Sequence, residues 1–215
     1  MKLNWYFDFI SPFAYLQLSH FDRLPDKVEV TYKPILFAGL LKHWQNIGPA
    51  EIPPKRTFTY KHCYWYAKKH GIEFKMPPAH PFNSLSGLRL AIACHCDPKA
   101  VQTIFDVIWK HGMDLHSKQA IDYLESELGI KNVNELISLQ SVKDQLKANT
   151  EQAASRNVFG VPTFSIKNLE NQYENFWGLD TFEMMLDYIA SPDSFNDQQM
   201  KQIERLPEAV QRKRV

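Results

Sequence analysis

The sequence predicts an α/β fold interrupted by a long all-helical segment, and three observations predict it. An aromatic-rich apolar run, Trp5-Tyr6-Phe7-Asp8-Phe9-Ile10, leads into Ser11-Pro12-Phe13-Ala14-Tyr15-Leu16, as a buried strand entering a helix does. Far downstream, Phe159-Gly160-Val161-Pro162-Thr163-Phe164 reads as a proline at the start of a second apolar strand. Between them, from about Phe37 to about Gln140, the apolar spacing is helical and strand signals vanish.

The elements follow in order. Ser11 takes an N-cap position and Pro12 the first helical turn, where a missing N–H leaves no bond unmade. Leu16, Leu18, Phe21 and Leu24 continue at mostly helical spacing. Val28-Glu29-Val30-Thr31-Tyr32 alternates as a second strand, which Pro34 ends. Phe37 to Ala50 reads as a short helix and a loop, and Lys55 to His70 as an aromatic-dense helix closed by Gly71. Met76-Pro77-Pro78 and Pro81 make an irregular loop. Asn83 or Ser84 to Cys96 is a helix with Leu85, Leu88 and Ile92 inward. Asp97-Pro98 caps a helix carrying Val101, Ile104, Phe105, Ile108 and Trp109 to Gly112. Ser117 to Leu128 is another, and Asn132 caps a short one through Leu139. Ser141-Val142-Lys143-Asp144 has a capping-box pattern and opens a polar helix to about Asn157. Thr163 to Ile166 and Tyr173 to Phe176 form a hairpin, and Asp180 and Glu183 cap a last helix with Phe182, Met185, Leu186 and Ile189. The expected division is an α/β domain built from 1–36 and 141–190, a helical insertion over 37–140, and a polar tail over 191–215 that ends Arg212-Lys213-Arg214.

Composition narrows the function classes. The chain has 215 residues, 44% of them hydrophobic, enough for a sizeable core. A net charge of +1 gives no electrostatic case for nucleic acid or an anionic membrane as a partner. No apolar run approaches the roughly 20 residues of a membrane span. Met1-Lys2-Leu3-Asn4 leads into the first strand without a signal-peptide core, so the expected compartment is the cytoplasm. Cys63, Cys94 and Cys96 do not form a disulfide framework, and the one-residue spacing of Cys94 and Cys96 is not that of a zinc site, so no metal is expected.

A strand ending in a capped helix, with Gly-Val-Pro-Thr much later, resembles the thioredoxin-like fold. In that fold a cis-proline loop lies against the first helix N-terminus. Where thioredoxin and DsbA-type oxidoreductases carry Cys-x-x-Cys, this chain has Ser11-Pro12-Phe13-Ala14. The opening Phe-Asp-Phe-Ile-Ser-Pro-Phe-Ala-Tyr-Leu resembles the 2-hydroxychromene-2-carboxylate isomerases and the related kappa-class glutathione transferases. Asn46-Ile47-Gly48-Pro49, Pro53-Pro54-Lys55, Phe159-Gly160-Val161-Pro162-Thr163 and Trp177-Gly178-Leu179-Asp180 follow in the family's order, so the resemblance spans most of Met1 to about Ile189.

The resemblance implies a cytoplasmic glutathione-dependent enzyme, commonly a homodimer, acting on a small aromatic or electrophilic substrate. Read by itself, Ser11 is an N-cap serine. The resemblance has its hydroxyl facing the glutathione sulfur, beside Pro12 at the helix start. A helix N-terminus and a hydroxyl donor both favour thiolate over thiol. Lowering a thiol from about 8.5 by about 2 units takes roughly 2.7 kcal/mol, within reach of one charge-assisted hydrogen bond plus a helix terminus. The resemblance further implies that the Val161 backbone, beside Pro162, pairs with the cysteinyl unit. Asp180 would take the γ-glutamyl ammonium, the backbone of Leu179 to Thr181 its carboxylate, and Asn46 and Lys55 would contact glutathione. Phe13, Phe37, Trp44, His62, Tyr64 and Trp65 are the candidate walls of a substrate pocket; each is also a plausible core residue by itself. The family's Tyr, Asp and Arg on the helix after Lys55 are here Phe58, His62 and Trp65. As a histidine, His62 is a candidate general acid or base, and a structural role fits it equally.

Three functions stay open on these residues. The first is an isomerase that adds the glutathione thiolate, allows bond rotation and expels intact glutathione. The second is a kappa-like transferase or peroxidase that consumes it. The third is a non-catalytic binding protein on a DsbA-like scaffold. A dithiol oxidoreductase is disfavoured, because positions 11 and 14 carry no sulfur.

Overall fold

A computed structural model of the chain describes residues 1–168, 170–203 and 205–210. Its centre is a four-stranded mixed sheet of order β2-β1-β3-β4, with β1 at Lys2–Phe7, β2 at Glu29–Pro34, β3 at Thr163–Lys167 and β4 at Tyr173–Trp177. β1 pairs in parallel with β2 and antiparallel with β3, and β3 forms the expected hairpin with β4. Helix α1 (Pro12–Leu18) makes the crossover between β1 and β2 that a parallel pair requires. The helices between the two halves of the sheet are α2 (Phe37–His43), α3 (Pro53–His70), α4 (Leu85–Ala93), α5 (Pro98–Phe105), α6 (Lys118–Leu128), α7 (Val133–Ser138) and α8 (Gln140–Ser155). After β4 come α9 (Phe182–Ala190) and α10 (Gln198–Ile203).

The aromatic run of β1 is the reason the two parts of the chain share one core. Trp5, Phe7 and Phe9 are fully buried, and the Trp5 and Phe7 rings stack at 4.4 Å. The Phe9 ring meets Phe105 of α5 at 4.5 Å. Truncating such a ring removes about 3–5 kcal/mol.

Several helix ends depart from expectation. α4 stops at Ala93 rather than Cys96, because His95 and Cys96 both turn left-handed at φ near 55°. α5 gives way to a π-helical turn, Asp106–Lys110, that carries Trp109. Asn132 is left-handed and its side chain does not cap α7; the Glu125 carboxylate accepts the Val133 N–H instead, at 3.1 Å. A single residue, Leu139, separates α7 from α8, so Ser141 falls inside the helix and makes no cap. Asp180 does not cap α9 either. Gly178 adopts φ +97°, the chain takes one more turn, and Thr181 occupies the N-cap position without a side-chain bond to the helix. The polar tail carries a 3-10 turn, Pro192–Phe195, and α10; Arg212, Lys213 and Arg214 lie outside the described residues.

Candidate active site

The sheet brings the ends of β1 and β3 side by side, with Tyr6 opposite Thr163. That register sets the first turn of α1 against the Val161–Pro162 loop, and the Val161–Pro162 peptide is cis. Ser11 caps α1 as expected: its Oγ accepts the Ala14 N–H at 3.3 Å. The same Oγ lies 3.5 Å from the Val161 carbonyl oxygen, to which the hydroxyl can donate. The Val161 N–H finds no acceptor among the described residues. Ser11 therefore stands at the positive end of a helix beside an open stretch of backbone, a place suited to an anion and to an extended peptide.

The turn that carries Ser11 is tied at every step. Buried Asp8 takes the Ile10 and Phe37 N–H groups on its two carboxylate oxygens, at 3.1 and 2.9 Å. Burial pushes its carboxyl above the usual range, while hydrogen bonds from Ser84, Phe37 and Ile10 act the other way. Trp109 donates to the Phe9 carbonyl at 2.9 Å and His80 to the Ile10 carbonyl at 2.8 Å. Sequence reasoning missed Asp8, His80 and Trp109 as supports; the one visible signal was an acid inside an otherwise apolar run.

A second turn, Gly178 to Thr181, closes the far side. The Gly178 N–H donates to the Pro162 carbonyl at 2.9 Å, and its own carbonyl accepts from Gln17 at 2.8 Å. Fully buried Gln17 also accepts from the Trp5 indole at 2.7 Å, so one amide joins β1, α1 and this turn. The N–H groups of Leu179, Asp180 and Thr181, just before α9, have no acceptor among the described residues. Asp180 is exposed and makes no hydrogen bond among the described residues, while the Thr181 hydroxyl donates to the Gly178 carbonyl at 3.2 Å. These groups form a donor set with an adjacent carboxylate, suited to the two charges of an amino-acid end group.

The model of the DSBA-like thioredoxin domain matches residues 2–190. The chain belongs to this family. Glutathione S-transferase kappa 2 of Caenorhabditis elegans is 26% identical over 207 residues, covering 88% of this chain and 92% of its own. 2-Hydroxychromene-2-carboxylate isomerase of Pseudomonas putida is 26% identical over 199 residues, covering 86% and 92%. The solved structure of a 2-hydroxychromene-2-carboxylate isomerase shares the fold, with a TM-score of 0.76 at 22% identity over 91% of this chain and 98% of that one. The chain is thus a DsbA-like relative of isomerase and transferase enzymes.

In dithiol members of the DsbA-like family the cysteines supply the sulfur; here every thiol is elsewhere. Cys63, Cys94 and Cys96 are free. Burial pushes the Cys63 thiol up to about 12 and the Cys96 thiol to about 11, and raises Cys94 as well. Burial thus disfavours the thiolate at all three. Among the described residues no group of three or more His, Cys, Asp or Glu side chains is placed to hold a metal. No helix among them is long and apolar enough to cross a membrane.

The six candidate pocket residues divide. Phe13, in the first turn of α1, meets His62 of α3 at 5.7 Å, and His62 meets Trp65 and Phe58 at 6.0 Å each. This row lies on the open surface: Phe58 is 67% and Trp65 54% exposed. Phe37 belongs instead to a small cluster with Tyr6, Ile35, Leu40 and Val161. Trp44 donates its indole N–H to the Val158 carbonyl at 2.9 Å, on the approach to Val161. Tyr64 points to solvent from another face of α3, two residues from His62 and so about 200° round the helix. Two clefts, of about 220 and 230 Å³, lie near Phe82 and Met113 and near Ile121 and Val133; none of the six lines either. Asn46 and Lys55 are exposed, on the loop after α2 and in the first turn of α3. Asn46 accepts from the Ile47 N–H at 2.9 Å, and among the described residues neither side chain hydrogen-bonds to Ser11 or Val161.

Proposed function

We propose that this protein is a glutathione-dependent enzyme, an isomerase resembling 2-hydroxychromene-2-carboxylate isomerase. The observation that carries the reading is the Ser11 hydroxyl at the N-terminus of α1, beside the Val161 carbonyl, in a DsbA-like frame with no cysteine at that turn. In this reading the thiol comes from the bound glutathione, and the turn at Ser11 is what activates it.

In this reading the glutathione sulfur lies at Ser11 and ionises under the helix terminus and the hydroxyl. Its cysteinyl unit pairs with Val161, and its γ-glutamyl end meets Asp180 and the free N–H groups of Leu179 to Thr181. Asn46 and Lys55 approach from the helical side. The thiolate adds to a conjugated carbon of an aromatic substrate, forming a C–S bond and leaving an enolate. Rotation about the bond now single is followed by expulsion of the thiolate, so glutathione is regenerated. Phe13, His62 and Trp65 flank the sulfur and offer a surface for the ring. The reading includes a homodimer, as the resemblance implies, with no nucleic acid or membrane as partner.

A second reading, a kappa-like transferase that releases the thioether, is favoured by one observation. The positions where the isomerases keep Tyr, Asp and Arg hold Phe58, His62 and Trp65, an apolar surface with fewer groups to guide a carboxylate substrate back through elimination.

Calorimetry with glutathione tests the shared core, using the wild type and Ser11→Ala, with thiolate absorbance followed against pH. Binding in the micromolar to millimolar range, with a thiolate formed below about pH 8 only when Ser11 is present, is the expected result. Absence of binding by the wild type overturns the reading and leaves a binding protein on a DsbA-like scaffold. Whether free glutathione is depleted during turnover separates isomerase from transferase.

A further inference from the structure

We infer that His80, supported by Tyr60, is the positioning residue for Ser11: it fixes the Ile10–Ser11 peptide and through it the direction of the hydroxyl. The inference rests on the reading of Ser11 as the group that holds the substrate sulfur.

The peptide joining Ile10 to Ser11 is gripped at both ends. Its N–H, that of Ser11, donates to the Asp8 carbonyl at 3.0 Å. Its carbonyl, that of Ile10, accepts from His80 Nε2 at 2.8 Å. Asp8 is local and would hold a turn of this shape in any chain. His80 reaches in from the loop between α3 and α4, 70 residues away, and is the tie from the helical segment that grips the Ile10–Ser11 peptide itself, where Trp109 holds Phe9 and Phe37 holds Asp8. A rotation of this peptide would swing the Ser11 side chain off the Val161 carbonyl, where it is held at only 3.5 Å.

The hydrogen positions follow from chemistry. A carbonyl only accepts, so Nε2 carries the hydrogen. On a neutral ring Nδ1 is then an acceptor, and the Tyr60 hydroxyl, 2.7 Å away, must donate to it. That hydroxyl also lies 2.9 Å from the His80 carbonyl, but it has one hydrogen and cannot serve both. The Ile10 carbonyl therefore selects the tautomer, and the Tyr60 hydroxyl, by donating to Nδ1, supports it. The ring has little freedom to do otherwise. Tyr60 lies across it at 5.2 Å, Trp109 at 5.6 Å and Phe82 at 5.9 Å. Burial, helped by Arg56 of α3 and opposed by the bond to Ile10, disfavours the charged ring. In the neutral form the ring's single N–H is committed to the turn.

The test uses His80→Gln, His80→Ala and Tyr60→Phe. Nitrogen NMR of the imidazoles comes first and needs no ligand. The expected wild-type spectrum has His80 as the Nε2–H tautomer, and Tyr60→Phe shifts its Nδ1 resonance. A ring protonated on Nδ1 alone overturns the inference outright. The second readout is the apparent pKa of the bound glutathione thiol beside its dissociation constant. His80→Ala is expected to raise that pKa by about one unit while binding changes less than about threefold. His80→Gln, whose amide can still donate to Ile10, is expected to recover most of the shift. A purely structural role would move binding and thiol pKa together and would not be rescued by Gln. An unchanged thiol pKa in His80→Ala overturns the inference with the Ser11 reading intact. Wild-type glutathione that binds without ionising early overturns both, and the NMR then separates a correct hydrogen-bond geometry from a wrong function. If His80→Ala does not fold, His80→Gln against Tyr60→Phe carries the same comparison.

Discussion

The Ser11 hydroxyl lies 3.5 Å from the carbonyl oxygen of Val161, a residue 150 positions later in the chain. Its oxygen meanwhile accepts the Ala14 N–H at 3.3 Å. One atom thus caps a helix and faces the cis-proline loop. Its bond to Val161 is long, so a better acceptor such as a thiolate would displace it readily.

Ser11→Ala is expected to lose both roles by different amounts. Loss of the cap lowers stability by about 0.5–2 kcal/mol. For a chain of this size each kcal/mol lowers the melting temperature by about 2–4 °C. If Ser11 holds the substrate sulfur as proposed, loss of that hydrogen bond, about 1.5–3 kcal/mol, lowers turnover about 10–100-fold. Calorimetric melting and steady-state rates with glutathione check the two separately. A folded Ser11→Ala protein with wild-type rates would make the serine a cap and nothing more.

Gln17 is the buried tie between strand, helix and turn. Gln17→Leu fits the volume but leaves the Trp5 indole N–H without a partner and removes the donor to Gly178. The Gly178 carbonyl keeps Thr181, so the larger loss is at Trp5, for a total of about 2–4 kcal/mol. Urea unfolding followed by tryptophan fluorescence reads this directly. A change below about 0.5 kcal/mol would mean that water or a neighbour serves the indole.

These two residues show what the sequence discloses. Ser11 and Pro12 announce a helix start by local chemistry, and Val161-Pro162 a strand start, so their meeting is legible once both are seen as parts of one fold. Gln17 reads as a polar position on a helix because its partners lie 12 and 161 residues away. His80 reads as one histidine in a proline-rich loop for the same reason. Expected caps fail where another group or a turn intervenes: Glu125 of α6 serves Val133, and the left-handed turn at Gly178 moves Asp180 out of the cap. The aromatics of α3 were legible as a cluster, but their exposure was not. Helical spacing says which side chains share a face and not whether anything covers it.

Asp8 gives a pH signature. Its folded carboxyl is raised above the ordinary value of 3.8, so the native state holds the proton more tightly than the unfolded chain. As pH rises from that value through the folded one, the unfolded chain ionises first and this group's contribution to stability falls. Asp8→Asn removes the titration and, like a protonated acid, keeps an acceptor for only one of the two N–H groups. The stability of Asp8→Asn relative to wild type is therefore expected to improve as pH rises from about 4 toward neutral. Urea unfolding of both proteins at a series of pH values measures the difference. His20 and His80, whose folded values are lowered, destabilise the native state as pH falls below their ordinary 6.5, but they do so in both proteins and cancel in it. A pH-independent difference would show that Asp8 ionises as it does in the unfolded chain.

Gly160 and Trp177 form the most constrained contact beside the site. A Cβ on Gly160 would lie 2.3 Å from the Trp177 indole nitrogen and 3.0 Å from two ring carbons, so Gly160→Ala requires the ring to move. Trp177 is 49% exposed and can swing outward, but doing so breaks its edge contact with Phe159 at 5.1 Å. The residue also precedes Gly178, whose N–H holds the Pro162 carbonyl. Gly160→Ala is expected to lower stability by about 1–3 kcal/mol and to shift the tryptophan emission. In a Trp177→Ala background the same substitution meets no ring, so its effect should shrink by at least about 1 kcal/mol. The four proteins of this cycle, unfolded in urea, measure the coupling. Additive effects would show that the chain at Gly160 moves rather than the ring. Glutathione affinity in the single Gly160→Ala variant then separates the two again: a displaced indole leaves the Val161 backbone in place, whereas a displaced chain carries Val161 away from Ser11 and weakens binding.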